Sequence, residues 1–419
     1  MDIGEVGRRC DKMNAAVFTI VSTNYFGYAK TLAQSMATPD GVAADFHVLV
    51  VDPRDEAFAR AHPGCRITWV EELQIPGFES IAFKYDILEL NTNVKPSFAK
   101  YLLKQYEKVV YLDPDIYVYG SLAPILAALD DHPAVLTPHI TVPIDDDRLP
   151  GEQELLRAGI YNLGFAAFSR APQASRLLDW WESRCLNLAY DEQAQGLFVD
   201  QKWMNFAPVF CDGLLVLKEP QYNVAYWNLH ERRLSRKDGV YLVNDEQPLV
   251  FFHFSGLPAG GNETISKYQN RYTLKERPDL AALFEAYRAV LMENGQGEYA
   301  VLPYGFGVFS NGVRITGLAR RVVSAGRPED LQGDPFDARG RLYAMLQRSG
   351  LIDSSRPRAD GGPTDRKPGG RMKSTARAVM QVFFKVLLRL LGPERYFALL
   401  RYLTSQVTAR KQQFLIKRP

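Results

Sequence analysis

Short, unbroken apolar runs recur along this chain, with helical-looking segments between them. The runs are Val17–Val21, Val48–Val51, Val109–Leu112, Ala134–Leu136, Phe165–Phe168, Leu214–Leu217 and Leu249–Phe252. A run that is apolar at every position, not at every second one, suits a strand covered on both faces. Helices are expected over Tyr28–Met36, Pro96–Gln105, Ser175–Leu188 and Leu280–Glu293. Strands alternating with helices predict an α/β fold, a mostly parallel sheet flanked by helices. Ligands of such sheets bind outside the carboxyl ends of the strands, and Asp52, Asp113 and His253 each stand at a predicted end.

The pattern changes after residue 300. We expect an α/β domain over residues 13–300, a small appended subdomain over 301–350, a flexible linker over 351–373 and a basic amphipathic helical tail over 374–419. The subdomain opens on Gly305 and Gly307, but no Lys-Ser or Lys-Thr follows in the place a phosphate loop requires. The linker is dense in Asp, Ser, Arg, Pro and Gly, with almost nothing to bury.

Composition sharpens this picture only where it is uneven. A hydrophobic fraction of 46% over 419 residues allows a large soluble core. Cys10, Cys65, Cys185 and Cys211 form no Cys-x-x-Cys pair, which argues against a zinc site or disulfide framework and fits a reducing cytoplasm. The opening residues hold no apolar stretch of signal-peptide length, so export is not expected. From Arg371 onward stand eleven Lys or Arg against the single acid Glu394, a net +10 within an overall +2, so the remainder carries −8. That body is no nucleic-acid binder, and the tail needs its own account.

In the tail, Arg377, Gln381, Lys385 and Arg389 recur every four residues, opposite Val379, Met380, Phe383, Val386, Leu387 and Leu390. Lys385 and Arg389 would each cost about 2.5–3.5 kcal/mol at a bilayer centre, and Gly392-Pro393 stops the helix early. An interfacial helix fits better. Each basic group near an anionic surface contributes roughly 1 kcal/mol beside burial of the apolar face. Pro393 to Leu403 repeats the pattern. Docking on the protein body or self-association is the other reading.

The sharpest chemistry is Lys108-Val-Val-Tyr-Leu-Asp113-Pro-Asp115. Residues i and i+2 of a strand point the same way, so one strand end offers two carboxylates together. Hard divalent ions such as Mn²⁺ and Mg²⁺ take carboxylate oxygens and leave positions open for phosphates. A plain strand-to-turn junction reads the same. A second run, Pro248-Leu-Val-Phe-Phe-His253-Phe-Ser-Gly256, ends in an imidazole that would complete a ligand set of Asp113, Asp115 and His253. Gly256 permits close backbone approach to a phosphate.

An apolar strand ending in Asp-x-Asp, then much later one ending in His-x-x-Gly, resembles the GT-A nucleotide-sugar glycosyltransferases. The chain is most similar to the retaining group that includes glycogenin and the lipopolysaccharide galactosyl- and glucosyltransferases. Two segments between these motifs extend the likeness over roughly residues 15 to 275. Tyr161-Asn162-Leu-Gly164 resembles the Asn-x-Gly strand whose amide contacts the donor sugar. Asp200-Gln201-Lys-Trp-Met-Asn205 resembles the Asp-Gln-Asp-x-x-Asn helix start whose first acid lies beside the transferred sugar. Two departures stand out: Leu257-Pro-Ala follows Gly256 where the family often continues toward Lys-Pro-Trp, and Lys202 replaces an acid.

The resemblance implies a Rossmann-like GT-A sheet, an Mn²⁺ or Mg²⁺ ion on Asp113, Asp115 and His253, and Asn162 and Asp200 nearest the sugar. It places Thr23, Asn24 and Tyr25 by the base and ribose, with Lys95, Asp113 and Gly256 as further donor contacts. Asp200 also reads as an ordinary helix cap, Lys95 as an ordinary exposed lysine, and Tyr25 as a core-edge residue. The implied activity is transfer from a nucleotide sugar, a UDP-sugar by likeness, to a cell-envelope glycan or glycolipid at the inner face of the membrane, with retention. An inverting enzyme would need a base such as Asp200 or Glu231. A nucleotidyltransferase would need a Gly-rich loop where Ser22-Thr-Asn-Tyr-Phe-Gly27 stands. A membrane-associated binding protein without turnover is the non-enzymatic alternative.

Overall fold

The computed structural model describes residues 14–37, 44–258, 263–352, 370–406 and 411–416. The chain divides into two compact units, one of residues up to Phe78 plus Ile87–Ala300, the other of Glu79–Asp86 plus residues from Val301 on.

The first unit is built on a seven-stranded sheet. Its long members are β1 (Ala15–Val21), β2 (Asp45–Val50), β3 (Arg66–Trp69), β4 (Lys108–Leu112), β6 (Ala134–Pro138) and β7 (Tyr161–Ser169), with β5 (Ile116–Val118) lying outside it. The order runs from the short strand Leu215–Val216 through β6, β7, β4, β1 and β2 to β3, and every pairing is parallel except those of β7. This is the mostly parallel α/β sheet that the apolar runs predict. All seven residues of β1 and all nine of β7 are buried, because helices cover both faces. The helices Phe26–Met36, Lys95–Leu103, Pro172–Leu188 and Ala281–Glu293 stand within a few residues of their expected bounds.

One strand departs from expectation. Phe251–His253 does not join the main sheet; it pairs antiparallel with β5. Neither β5 nor β3 shows a long apolar run: Ile116-Tyr-Val is three residues, and Arg66 and Thr68 interrupt β3.

The second unit packs Phe309, Val313, Val322, Leu342 and Leu346 around Phe83, which comes from the helix Phe78–Lys84. Arg320, itself buried, donates to the carbonyls of Ala82, Phe83 and Phe306 at 3.1, 2.8 and 2.6 Å. Most of the expected linker, residues 353–369, lies outside the described residues. The tail is helical over Gly370–Gln406, broken at Gly392 (φ 71°) just before Pro393, where the sequence predicts the stop. Among the described residues no helix is long and apolar enough to cross a membrane.

Candidate functional site

Strand β4 carries Asp113 to the lip of the sheet, where its N–H donates to the Gly164 carbonyl at 2.7 Å. The chain then turns at Pro114, closed by Ile116 N–H on the Asp113 carbonyl at 3.0 Å, and starts β5. Because Ile116 is in register with His253, pairing of β5 with Phe251–His253 brings the imidazole alongside both acids. Phe254 N–H on the Asp115 carbonyl, 2.9 Å, pins the same register from the other side. His253 Nε2 lies 2.9 Å from Asp115 Oδ1 and 3.5 Å from Asp113 Oδ2. One ligand atom from each of the three groups falls within 4.8 Å of the others.

The donor set suits a hard divalent cation: two carboxylates open to solvent on one side, and one buried imidazole. Burial pulls the His253 imidazole down, but Asp115 and then Asp113 outweigh it and leave the group above its ordinary value. His253 Nδ1 is buried with no hydrogen-bond partner among the described residues. Trp227 stands edge-on to the ring at 5.2 Å, and the other flank is Gly164. A Cβ at Gly164 would sit 2.3 Å from His253 Cε1, so only glycine admits the ring. Asp113 also accepts from the Tyr111 hydroxyl at 2.5 Å, and burial together with that carboxylate raises the Tyr111 phenol well above its usual range.

Next to this cluster lies a buried polar layer. Asn162 Oδ1 accepts from Gly164 N–H and from Asn223 Nδ2, each at 3.1 Å, and its Nδ2 faces His139 Nε2 at 3.3 Å. Gln201 Oε1 accepts from Leu163 N–H at 3.0 Å and ties the segment after Asp200 to the same strand. Asp200 precedes the 3₁₀ helix Gln201–Phe206 but makes no capping bond. Its carboxylate pairs with Lys95 Nζ at 2.6 Å, both side chains being 2% exposed. Lys95 is therefore not an exposed lysine. It also donates to the Leu163 carbonyl at 2.8 Å and lies over the Tyr111 ring at 4.2 Å. Burial raises the Asp200 carboxyl above its ordinary value, against the pull of Lys95. Glu231, the other acid considered as a base, is engaged by the Thr141 N–H and hydroxyl at 3.1 and 2.7 Å. A cleft of about 490 Å³ opens further along the lip, lined by His139, Thr141, Glu152, Leu155, Ile160 and Tyr161.

Thr23, Asn24 and Tyr25 form a 3₁₀ turn directly after β1. Thr23 donates through its N–H (2.8 Å) and hydroxyl (3.0 Å) to Asp52, the acid at the end of β2. Asn24 Oδ1 is buried without a partner among the described residues. Tyr25 is 48% exposed and stacks on Tyr28 at 4.9 Å. Partial burial and then the Asp115 carboxylate raise its phenol. Gly256 adopts φ 69°, and the room left by its missing side chain is taken by the Tyr268 ring and the Ser266 hydroxyl, at 2.5 and 2.7 Å from a would-be Cβ. The Gly256 carbonyl accepts from Lys267 N–H at 3.0 Å, and Lys267 Nζ lies 4.9 Å over the Tyr268 ring. Lys267 and Tyr268 thus stand at the site beside Gly256. Sequence reasoning missed both, because a Lys-Tyr pair beyond the strand carries no motif.

No family model matches the chain. Two uncharacterized proteins of Bacillus subtilis (strain 168) are similar to it. YfnF is 29% identical over 203 residues, 47% of this chain and 65% of YfnF. YfnD is 27% identical over 222 residues, 51% of this chain and 69% of YfnD. The match therefore spans just under two thirds of YfnF. Among solved structures, the galactosyltransferase LgtC in complex with donor and acceptor sugar analogues is similar at TM-score 0.40 and 17% identity, covering 66% of this chain and 95% of LgtC. The glycosyltransferase GlyE of Streptococcus pneumoniae TIGR4 is similar at TM-score 0.38 and 15% identity, covering 75% and 73%.

Proposed function

We propose that this chain is a metal-dependent glycosyltransferase that moves a sugar from a nucleotide sugar, a UDP-sugar, to a glycan or glycolipid of the cell envelope. The observation that carries the reading is the convergence of Asp113, Asp115 and His253 at the lip of a mostly parallel sheet, beside the buried Asn162 and Asp200. Asp113, Asp115 and His253 would hold Mn²⁺ or Mg²⁺, which would supply positive charge to offset the negative charge of a departing diphosphate. The protein's own groups do the remainder. Tyr25, half exposed, is the ring that would stack on the base. Lys267, on the far side of Gly256, offers the cation that the segment after His253 lacks. Asn162, its amide engaged by Gly164, Asn223 and His139, holds the polar layer beside the sugar in place without adding charge. Asp200, paired with Lys95 at 2.6 Å, is the acid that would face positive character at the anomeric carbon.

Retention is the preferred outcome. Asp200 is held in a buried ion pair and Glu231 is bonded to Thr141, so neither is poised as the free base that inversion requires. The cleft beside His139 is the proposed acceptor site. The basic tail places the enzyme at the inner, anionic face of the membrane, where such acceptors are found. The three-part division of residues beyond 300 into subdomain, linker and tail belongs to the same proposal.

The test is a thermal-shift screen of nucleotide sugars with and without Mn²⁺, followed by donor hydrolysis in the wild type and in Asp115→Asn. Mn²⁺-dependent stabilisation is expected, since a ligand that prefers the folded state raises its melting temperature. Full hydrolysis by Asp115→Asn would refute the metal assignment.

A further inference from the structure

The tail helix is folded back on itself. The rings of Phe384 and Tyr396 meet at 6.5 Å, although an unbroken helix would separate residues so spaced by about 18 Å along its axis. The break at Gly392 and Pro393 makes this possible. Phe384, Leu387 and Leu391 on the first arm, and Tyr396 and Leu399 on the second, are half-buried. Beyond the second arm the chain returns to the core of its own unit: Gln413 Nε2 donates to the Val322 carbonyl at 3.1 Å, and Ile416 is buried there. Ile352, before the tail, is buried in that core too.

The first arm therefore carries two apolar stripes, and only one is used within the hairpin. The other is Val379, Val382, Phe383, Val386 and Leu390, spaced i, i+3, i+4, i+7 and i+11 and exposed by 66, 61, 56, 47 and 76%. Gln381, Lys385 and Arg389 flank it. We propose that this outer stripe is the surface that seats the protein on an anionic phospholipid leaflet, with the hairpin lying flat in the headgroup region. The inference rests on the membrane-contact part of the proposed function, not on the transfer chemistry.

Charge selects lipid over another occupant, and length selects a flat over a spanning position. The tail holds eleven Lys or Arg and one acid, which suits a phosphate-rich surface. The apolar stretch from Val379 to Leu391 is about 20 Å long as a helix, too short for a hydrocarbon core of about 30 Å. Lying flat, the arm buries its stripe while Lys385 and Arg389 extend to the phosphates alongside.

The full chain should sediment with vesicles containing phosphatidylserine. Val382→Ser/Phe383→Ser/Leu390→Ser should lower its partition coefficient by about tenfold or more, with an unchanged melting temperature and unchanged donor hydrolysis. Lys385→Gln/Arg389→Gln should instead reduce the preference for phosphatidylserine over phosphatidylcholine vesicles by about tenfold, nine basic residues of the tail remaining. Undiminished partition of the triple variant, or a wild type that ignores vesicles and dimerises through this stripe, would overturn the inference. Absence of donor hydrolysis in the wild type would sink the transferase reading alone.

Discussion

Replacing Gly164 by alanine tests the geometry of the site through one added carbon. The new Cβ would lie 2.3 Å from His253 Cε1, 2.7 Å from its Nδ1 and 2.8 Å from Asn162 Oδ1. Carbon atoms settle at about 3.5–4.0 Å, so the imidazole must retreat by more than ~1 Å. It has little room to do so. Trp227 stands behind it at 5.2 Å, and its own backbone is held by the pairing with Ile116 and by the Val224 carbonyl at 2.8 Å. Overpacking of this kind costs about 1–3 kcal/mol, a fall in melting temperature of roughly 2–4 °C per kcal/mol for a domain of this size. The greater effect falls on the cation. Movement of Nε2 away from Asp115 and Asp113 disturbs one of three ligands, and lost support for a ligand typically weakens metal binding about 10–100-fold. Mn²⁺ titration by calorimetry should register that loss, and donor hydrolysis should fall with it and recover partly at high Mn²⁺. Gly120→Ala is the control: its Cβ would press on the Leu249 carbonyl at 2.9 Å, away from the acids, and should cost stability without changing Mn²⁺ affinity. A Gly164→Ala protein that loses stability yet keeps wild-type Mn²⁺ affinity would show that His253 is not a ligand.

Three further outcomes are expected. Lys95→Met leaves the buried Asp200 carboxylate without its partner and should cost about 3–5 kcal/mol in urea unfolding; adding Asp200→Leu should restore much of that stability but no activity, and a single variant as stable as wild type would contradict the buried pair. Lys267→Gln should weaken binding of a nucleoside diphosphate while sparing the nucleoside, and equal losses for both would remove Lys267 from the phosphates. Burial holds the His139 imidazole at about 4 against an ordinary 6.5. The unfolded chain therefore binds the extra proton between those values, and stability that is complete above pH 6.5 declines as pH falls toward 4, by up to roughly 3 kcal/mol. His139→Gln should flatten that part of the melting-temperature profile, and an unchanged slope would place the acid sensitivity elsewhere.

Much of the fold was legible because it is written locally. A run such as Val17–Val21 is apolar throughout only if both its faces are covered, and Asp113 and Asp115 announce themselves by standing where such a run stops. Lys95 was not legible: an ammonium before a helix looks exposed until a carboxylate from far along the chain is brought to 2.6 Å. Gly164 looked like part of a motif, whereas its absent side chain is the space occupied by His253. Gly256 looked like an approach for phosphate, and the approaching groups are Tyr268 and Ser266.

The α/β alternation, the two-acid strand end, the charge of the tail and its break at Gly392-Pro393 could all be read along the chain, because each depends on neighbours within a few residues. Which strand delivers His253 to the acids, what keeps Lys95 out of water, and which stripe of the tail remains uncovered emerge only once the chain is folded. Those outcomes depend on register and contact between segments far apart in the chain, where a shift of one residue would turn each side chain to the opposite face.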